Sequence, residues 1–154
     1  MTERADPAAP LPLVVLGGYL GAGKTTLLNH LLRHADGRRI AVLVNDFGAI
    51  NIDAELIEGQ DGQTLSLAGG CVCCTFGADL VGTLAGLAQR TPRPDIAVIE
   101  LSGVALPAAV MRTARLAPGI AVQGCVVLAD ATDIGRLAAD PYVGDTVRQQ
   151  LADA

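Results

Sequence analysis

Eight residues near the start of the chain, GYLGAGKT at 18–25, most constrain what this sequence can fold into. They fit the spacing G-x-x-x-x-G-K-[ST], in which glycines let successive backbone N–H groups turn toward one anion. The apolar run at 13–16 predicts a buried strand, and the run at 25–32 predicts a helix whose first turn adds positive potential. Strand, glycine loop and helix together predict a cradle for nucleotide phosphates. The alternative is a plain strand-to-helix turn.

Lys24 is the only lysine among the 11 basic residues, and all the others are arginines. An ammonium is a compact point charge that reaches phosphates through a ring of backbone amides, whereas a planar guanidinium does not fit that role. We therefore assign Lys24 to catalysis, where it neutralises phosphate charge, and Thr25 to Mg²⁺ through its hydroxyl. The predicted nucleotide-binding residues are Gly18, Gly21, Ala22, Gly23, Lys24, Thr25, Thr26 and Gly103.

The rest of the chain alternates short apolar runs with helical patterns. Strands are predicted at 40–44, 64–67, 96–99 and 122–128, and helices at 79–89 and 108–116. Such alternation predicts an α/β fold, here the three-layer α/β/α arrangement of P-loop NTPases with a mainly parallel, incomplete sheet. Apolar residues make up 51% of the 154 positions, enough for one domain with a core, and aromatics only 3%, so that core is aliphatic. We expect a flexible tail at 1–12 and a nucleotide-binding domain at 13–154.

Charge and hydropathy bear on partners and location. The net charge is −5 and no basic run is longer than Arg38-Arg39, which argues against nucleic acid or an anionic membrane as the main partner. No apolar stretch approaches the roughly 18 residues of a membrane span, and no basic-then-apolar export signal opens the chain. The expected location is the cytoplasm.

Two acidic residues follow predicted strands. Asp46 comes just after the strand at 40–44, and Glu100 directly follows the strand at 96–99. Ligands in parallel sheets bind at the carboxyl ends of strands, so both carboxylates should face the phosphate loop and serve Mg²⁺, its waters and the attacking water. The alternative is that each acid only marks the exit of a strand to solvent. Gly103, just beyond, is predicted to donate its N–H to a terminal phosphate, although a glycine there is also an ordinary turn residue.

Three of the four cysteines cluster as Cys71, Cys73 and Cys74, directly after two glycines. Clustered thiols in a chain without an export signal favour metal ligands or redox centres over structural disulfides, and inert buried thiols are the third possibility. Thiolates of a C-x-C-C loop can converge on one ion and leave a tetrahedral ion one open position, which suits delivery. Cys125 lies in an apolar strand and is predicted to be a small core residue.

Together these segments resemble the CobW-like branch of the G3E P-loop GTPases, a family of metal-insertion proteins that includes zinc chaperones. The resemblance rests on GYLGAGKTTLLNHLL from Gly18, VNDFGAINIDAELI from Val44, GGCVCC from Gly69 and VIELSG from Val98. It implies binding and slow hydrolysis of GTP with Mg²⁺ at Thr25, Asp46 and Glu100. The implied cargo is Zn²⁺ or a similar divalent ion on Cys71, Cys73 and Cys74, delivered to a client metalloprotein, and a nucleotide-dependent homodimer is a further expectation.

The chain departs from the family pattern in two places. Some relatives carry acidic metal ligands at the positions of Val44 and Ala49, so a secondary metal site there is in doubt. The segment at 148–154 looks like the helix that precedes a strand ending in a guanine-reading N-K-x-D motif. Neither that motif nor the family's C-terminal domain follows in this sequence, so we expect a truncated GTP-binding domain.

Two other functional classes fit the same residues. One is an ATP-using P-loop kinase or ATPase with redox-active thiols, and the other is a non-catalytic fragment that buffers metal or binds proteins. The segment at 46–53 is predicted to act as a switch that senses the γ-phosphate. His30 and His34, four apart on one helix, could bind metal but favour a solvated surface. The acidic residues Glu55, Glu58 and Asp61 could supply a fourth zinc ligand or meet a basic client, and otherwise form a solvated loop.

Overall fold

The structure is a computed structural model that describes residues 9–44, 52–53, 55, 57–61, 64–67, 70, 72–75 and 79–154. Every statement of structure below concerns those residues. Their order along the chain is β1 (Leu11–Gly18), α1 (Lys24–Arg33), β2 (Ile40–Val44), β3 (Ile57–Asp61), β4 (Thr64–Leu67), β5 (Val72–Thr75), α2 (Leu80–Ala88), β6 (Ile96–Glu100), α3 (Pro107–Ala114), β7 (Ile120–Leu128), α4 (Ile134–Ala139) and α5 (Gly144–Ala152).

Among the described residues, seven strands form one sheet in the order β3-β4-β5-β2-β6-β1-β7. The strands from β5 to β7 in that order run parallel, while β4 pairs antiparallel with both β3 and β5. The central strands β1, β2 and β6 are short apolar runs buried from both sides, as a parallel sheet covered by helices requires. The mainly parallel α/β sheet predicted from the alternation of runs is confirmed.

Two apolar clusters, one on each face of the sheet, form the core. Side chains alternate along a strand, so β1 buries Leu13 and Val15 in one cluster and Leu16 in the other. The first cluster receives Leu84 of α2, and the second receives Leu28 of α1. Helices therefore cover both faces, which is the predicted three-layer arrangement.

The local sequence explains where several elements begin. Asp79 caps α2, because its carboxylate accepts a hydrogen bond from Gly82 N–H, and Pro107 opens α3 where no backbone donor is needed. β1 begins at Leu11, two residues before the predicted strand and inside the segment expected to be a tail. No helix in the described part of the chain has the length and apolar character needed to cross a bilayer.

One predicted element is wrong. The cysteine segment was expected to be a loop, but Cys73 and Cys74 lie within β5, paired in register with Val42 and Leu43 of β2. The physical reason is that VCCT is a run of small apolar and β-branched residues, which fits a strand between β2 and β4. β3 and α4 were also not predicted. Cys71 lies outside the described residues.

Candidate functional site

The glycine loop joins β1 to α1 as predicted. Gly23 is the N-cap of α1 at φ 94°, a left-handed backbone conformation that glycine adopts at little cost, and Lys24 is the first helical residue. No acidic side chain occupies the first turn of α1, which is described in full. Positive potential from the N-terminal amides is therefore not neutralised within the helix, as an anion site needs. The predicted binding residues Gly21 and Ala22 lie in the loop just before α1, where Ala22 N–H donates to Tyr19 O at 3.2 Å, and Thr26 lies in the first turn of the helix.

Lys24 is only 8% exposed, although it carries an ammonium. Its Nζ donates to the carbonyls of Gly18 at 2.8 Å and Tyr19 at 3.1 Å, both in the same loop. Burial lowers the pKa of Lys24, and the nearby charge of Glu100 opposes that shift. The loop carbonyls thus hold the ammonium inside the loop, where a phosphate would replace them as partners and favour the charged form.

Glu100 ends β6 and meets the loop from the neighbouring strand. The register pairs Glu100 with Leu16 of β1 on one side and Val44 of β2 on the other. Thr25 Oγ1 donates to Glu100 Oε1 at 2.8 Å. A hydroxyl and a carboxylate oxygen at this separation are the ligand types that Mg²⁺ prefers, so these two residues fit the expected ion.

Gly103 lies against the same loop. A Cβ at Gly103 would stand 2.7 Å from the backbone nitrogen of Leu20, closer than side-chain carbons approach backbone. The loop after β6 therefore touches the phosphate loop at a position that only glycine accommodates. Asp46 lies outside the described residues, so its part in the site stays a prediction.

The predicted switch at 46–53 is described only where it ends. Ile52 is buried in the cluster that contains Leu28 of α1. Asp53 N–H donates to Asn29 Oδ1 at 3.1 Å, and the Asp53 carboxylate accepts from Arg33 Nη2 at 2.6 Å. The end of this segment is therefore fastened to α1, the helix that begins with Lys24.

The cysteines differ in what can be described. Cys74 is 8% exposed and lies in the first core cluster, with its Sγ 3.8 Å from Thr64 Oγ1. Burial raises the pKa of the Cys74 thiol, which favours the protonated form over the thiolate that binds metal. The described residues contain no group of three or more His, Cys, Asp or Glu side chains arranged to hold a metal ion. The zinc site at Cys71, Cys73 and Cys74 stays a prediction.

Cys125 is partly buried against the first core cluster, and its Sγ donates to Asp153 O at 2.8 Å. Burial, helped by the nearby Asp153 carboxylate, raises the pKa of this thiol. The predicted role as a small core residue agrees with that packing, but the hydrogen bond to Asp153, just after α5, was not predicted.

The side chains that favoured a surface role are at the surface. His30 and His34 are exposed, with ring centroids 4.2 Å apart and Nδ1 of His34 hydrogen-bonded to the His30 carbonyl at 2.8 Å. Glu55 is exposed and pairs with Arg33 at 3.3 Å. Exposed pairs of this kind contribute little to stability.

One buried polar residue near the site was missed from the sequence. Gln150 of α5 is 1% exposed, and its Nε2 donates to the carbonyls of Gly103 and Ala105. Its spacing of three from the buried Val147 places it on the apolar stripe of α5, and that spacing was the signal that could have found it.

Known proteins resemble the chain in both sequence and fold. Residues 12–154 match the family described as CobW/HypB/UreG, nucleotide-binding domain. The zinc chaperone CobW of a Sinorhizobium species is 35% identical over 159 residues, an alignment that covers 96% of this chain and 45% of that protein. The zinc-regulated GTPase metalloprotein activator 1 of Dictyostelium discoideum is 40% identical over 116 residues, covering 67% of this chain and 24% of that protein.

A solved structure agrees with these matches. The crystal structure of Zn(II)-bound YjiA GTPase from Escherichia coli superposes with a TM-score of 0.68 at 32% identity, covering 90% of this chain and 46% of that one. The chain thus spans less than half the length of these relatives. The phosphate loop, the position of Glu100 at the end of β6 and the overall fold all agree with these matches. The family resemblance inferred from the sequence motifs is therefore confirmed. The chain belongs to the family of CobW/HypB/UreG nucleotide-binding domains.

Proposed function

We propose that this domain binds and hydrolyses GTP and uses the nucleotide cycle to pass zinc, or a similar divalent ion, from its cysteine segment to a client metalloprotein. The observation that carries the nucleotide half is the buried Lys24 ammonium, held by loop carbonyls beside the Thr25–Glu100 contact. Relatives named as zinc chaperones and as a zinc-regulated GTPase support the metal half.

The phosphate half of the proposal assigns a task to each described residue. The loop at 18–23 supplies backbone amides, and Lys24 exchanges its carbonyl partners for the β- and γ-phosphate oxygens. Thr25, Glu100 and the undescribed Asp46 would hold Mg²⁺, which neutralises developing charge on the transferred phosphoryl group. The carboxylate of Glu100, at the end of β6, also orients the attacking water.

The metal half requires a change around β5. Zinc binds thiolates, yet the Cys74 thiol is buried in the core with a raised pKa. Capture of zinc by Cys71, Cys73 and Cys74 therefore entails that the end of β5 separates from Leu43 and the core cluster around it. A site that must open to bind can also close to release, which suits delivery rather than permanent structure.

The sheet offers a short route between the two halves. Thr75 at the end of β5 pairs with Val44, and Val44 pairs with Glu100. One strand thus separates the cysteine strand from Glu100, about 10 Å at the usual spacing of neighbouring strands. The 46–53 segment follows that intervening strand in the sequence, so a γ-phosphate that orders the segment would act on the strand beside β5.

The test measures zinc affinity of the 154-residue chain in competition with a chromophoric chelator, once with GDP and once with a non-hydrolysable GTP analogue. Unequal affinities are expected, because coupling requires that zinc binds the two nucleotide states differently. Equal values would refute the coupling. Cys125→Ser is the matched control for Cys74→Ser, since it removes a thiol outside the cluster and should leave zinc affinity unchanged.

Nucleotide choice is tested on the same sample. GTP and ATP each compete with a fluorescent guanine nucleotide for the binding site, and we expect GTP to displace it at lower concentration than ATP does. Equal or preferential displacement by ATP would favour an ATP-using protein with reactive thiols. Stoichiometric zinc without any nucleotide binding would identify a metal-buffering module instead.

A further inference from the structure

The loop between β6 and α3, residues 101–106, is held from two sides. On one side, Gly103 lies so close to the phosphate loop that a Cβ would stand 2.5 Å from Leu20 Cδ2 and 2.7 Å from Leu20 N. At the start of the loop, Leu101 N–H donates to Leu16 O at 2.9 Å, which continues the β1–β6 pairing. A shift of the 101–106 loop would therefore displace the phosphate loop, and a shift of the phosphate loop would displace the 101–106 loop.

On the other side, α5 holds the same loop through Gln150. The Gln150 side chain is 1% exposed, and its Nε2 donates to Gly103 O at 3.0 Å and to Ala105 O at 2.9 Å. The side-chain amide of Gln150 thus donates both of its hydrogen bonds to one loop. Burying an amide is unfavourable unless its hydrogen bonds are made, so the position is used for these contacts rather than for apolar packing.

A second residue of the same C-terminal segment fixes the end of the loop. Asp153 Oδ2 accepts a hydrogen bond from Ala108 N–H at 2.9 Å, in the first turn of α3. Asp153 is in turn held by Gln149, whose Nε2 donates to Asp153 Oδ1 at 2.8 Å. The 101–106 loop is thus tied to α5 at its middle and at the helix that follows it.

We propose that Gln150 is a positioning residue for recognition of the terminal phosphate, an inference that rests on the proposed GTP function. Gln150 does not reach the nucleotide. It holds the carbonyl of Gly103 from behind, so that the loop stays against Leu20 and presents the Gly103 N–H at the phosphate end of the site. α5 therefore belongs to the nucleotide-sensing apparatus, and not only to the core.

The proposal separates GTP from GDP. GDP is held by the amides of the phosphate loop and by Lys24, which Gln150 does not touch. A γ-phosphate additionally needs the 101–106 loop, whose position depends on Gln150. Loss of the Gln150 amide should therefore weaken binding of GTP more than binding of GDP. Without its two hydrogen bonds to Gln150, the 101–106 loop would be free to move away from Leu20.

The experiment compares Gln150→Met, which keeps the length of the side chain without its donors, with Val147→Ala on the same helix. Val147 is also 1% exposed and lies one turn earlier on the same buried face of α5, so its truncation removes apolar packing of the helix but no hydrogen-bond donor. Affinities for fluorescent GDP and for a fluorescent non-hydrolysable GTP analogue are measured for the wild type and both variants, together with kcat and KM for GTP. Gln150→Asn, which keeps an amide but is one methylene shorter, carries the test if Gln150→Met does not fold.

We expect Gln150→Met to lower the affinity for the GTP analogue about tenfold, an ordinary size for coupling between sites, and to leave the affinity for GDP unchanged. The loss should appear in kcat as well as in KM, with Val147→Ala keeping the wild-type preference. Equal weakening of both nucleotides, no weakening, or the same selectivity in Val147→Ala would overturn the positioning role while leaving GTP binding intact. Absence of nucleotide binding in the wild type would overturn the proposed function and this role with it.

Discussion

The phosphate loop and the cysteine strand bury their key side chains to the same extent but prepare them differently. Lys24 and Cys74 are each 8% exposed. Lys24 finds two carbonyl partners and the nearby charge of Glu100, all at the carboxyl ends of β1 and β6. Among the described residues, Cys74 has one weak polar contact, 3.8 Å from its Sγ to Thr64 Oγ1, and it otherwise lies in the apolar core with the charge of Arg90 acting on it.

The phosphate loop is therefore preorganised for its ligand, whereas Cys74 would have to leave the core to bind the proposed metal ion. Hydrogen-bond partners keep a buried ammonium in place and aimed at its ligand, so little has to move when phosphate arrives. A thiol among apolar side chains stays protonated, because burial disfavours the thiolate. The structure thus holds Lys24 in place for a phosphate, whereas the proposed capture of zinc would require the cysteine strand to open.

The largest expected effect concerns the prepared side. Lys24→Met should weaken nucleotide binding about a hundredfold, because charge-assisted hydrogen bonds to phosphate, worth roughly 3 kcal/mol, are lost. Thermal stability should be kept or raised, since the variant no longer buries an ammonium among carbonyls. Titration of a fluorescent nucleotide and a thermal unfolding curve measure the two quantities.

Lys24→Arg is the control for that experiment. It keeps the charge, but a planar guanidinium does not enter the ring of amides, so most of the affinity should still be lost. Wild-type affinity in Lys24→Arg would show that charge alone, and not the compact shape of the ammonium, makes the site.

The next effect concerns the unprepared side. In the metal-free chain, Cys74 should react with a thiol reagent about tenfold more slowly than a cysteine in a short unfolded peptide, because it is both buried and protonated. Peptide mapping by mass spectrometry after timed alkylation gives the rate for each cysteine separately. Addition of denaturant should abolish the protection, and a Cys74 that reacts at the peptide rate would mean that β5 is already open.

Much of this contrast could not be reached from the sequence. The phosphate loop was predictable because its residues are contiguous and each type has a local reason, as with Gly23 at positive φ. The position of Glu100 followed from the rule that strand ends meet at one edge. The fate of Cys74 did not, since a loop and a strand differ there only through pairing with distant residues, Leu43 and Thr64. The spacing of Gln150 from Val147 could have shown that it is buried, but its two hydrogen-bond partners lie 47 and 45 residues away and could not be identified from the sequence.

A smaller effect is expected where Thr25, the proposed Mg²⁺ ligand, contacts Glu100 at the end of β6. Thr25→Val keeps the shape of the side chain but removes the hydroxyl that donates to Glu100. Addition of Mg²⁺ should strengthen GTP binding less in this variant, by about fivefold, corresponding to roughly 1 kcal/mol for one lost ligand contact. Thr26→Val, one residue further on and exposed, is the matched control and should respond to Mg²⁺ like the wild type. An unchanged response in Thr25→Val would remove Thr25 from the ion site.

The smallest effect compares the two described thiols with each other. The pKa values of Cys74 and Cys125 are both raised from 9.0 in the folded chain, mainly by burial. Above about pH 9 the unfolded chain therefore loses these protons first, so stability that is fully present below that pH falls as pH rises through the folded pKa values. Urea unfolding at about pH 8 and about pH 10 measures the fall, and each cysteine is replaced by alanine in turn.

Both variants should lose less stability than the wild type between those two pH values, because each removes one thiol that the folded state keeps protonated. Cys74→Ala should flatten the dependence more than Cys125→Ala, since Cys74 is the more buried thiol and Cys125 is only partly buried beside α5. The buffer must be free of metal, because a thiolate held by an ion would titrate at lower pH. A larger flattening in Cys125→Ala would reverse the ranking and would mean that the surroundings of Cys74 in β5 are more hydrated than those of Cys125 in β7.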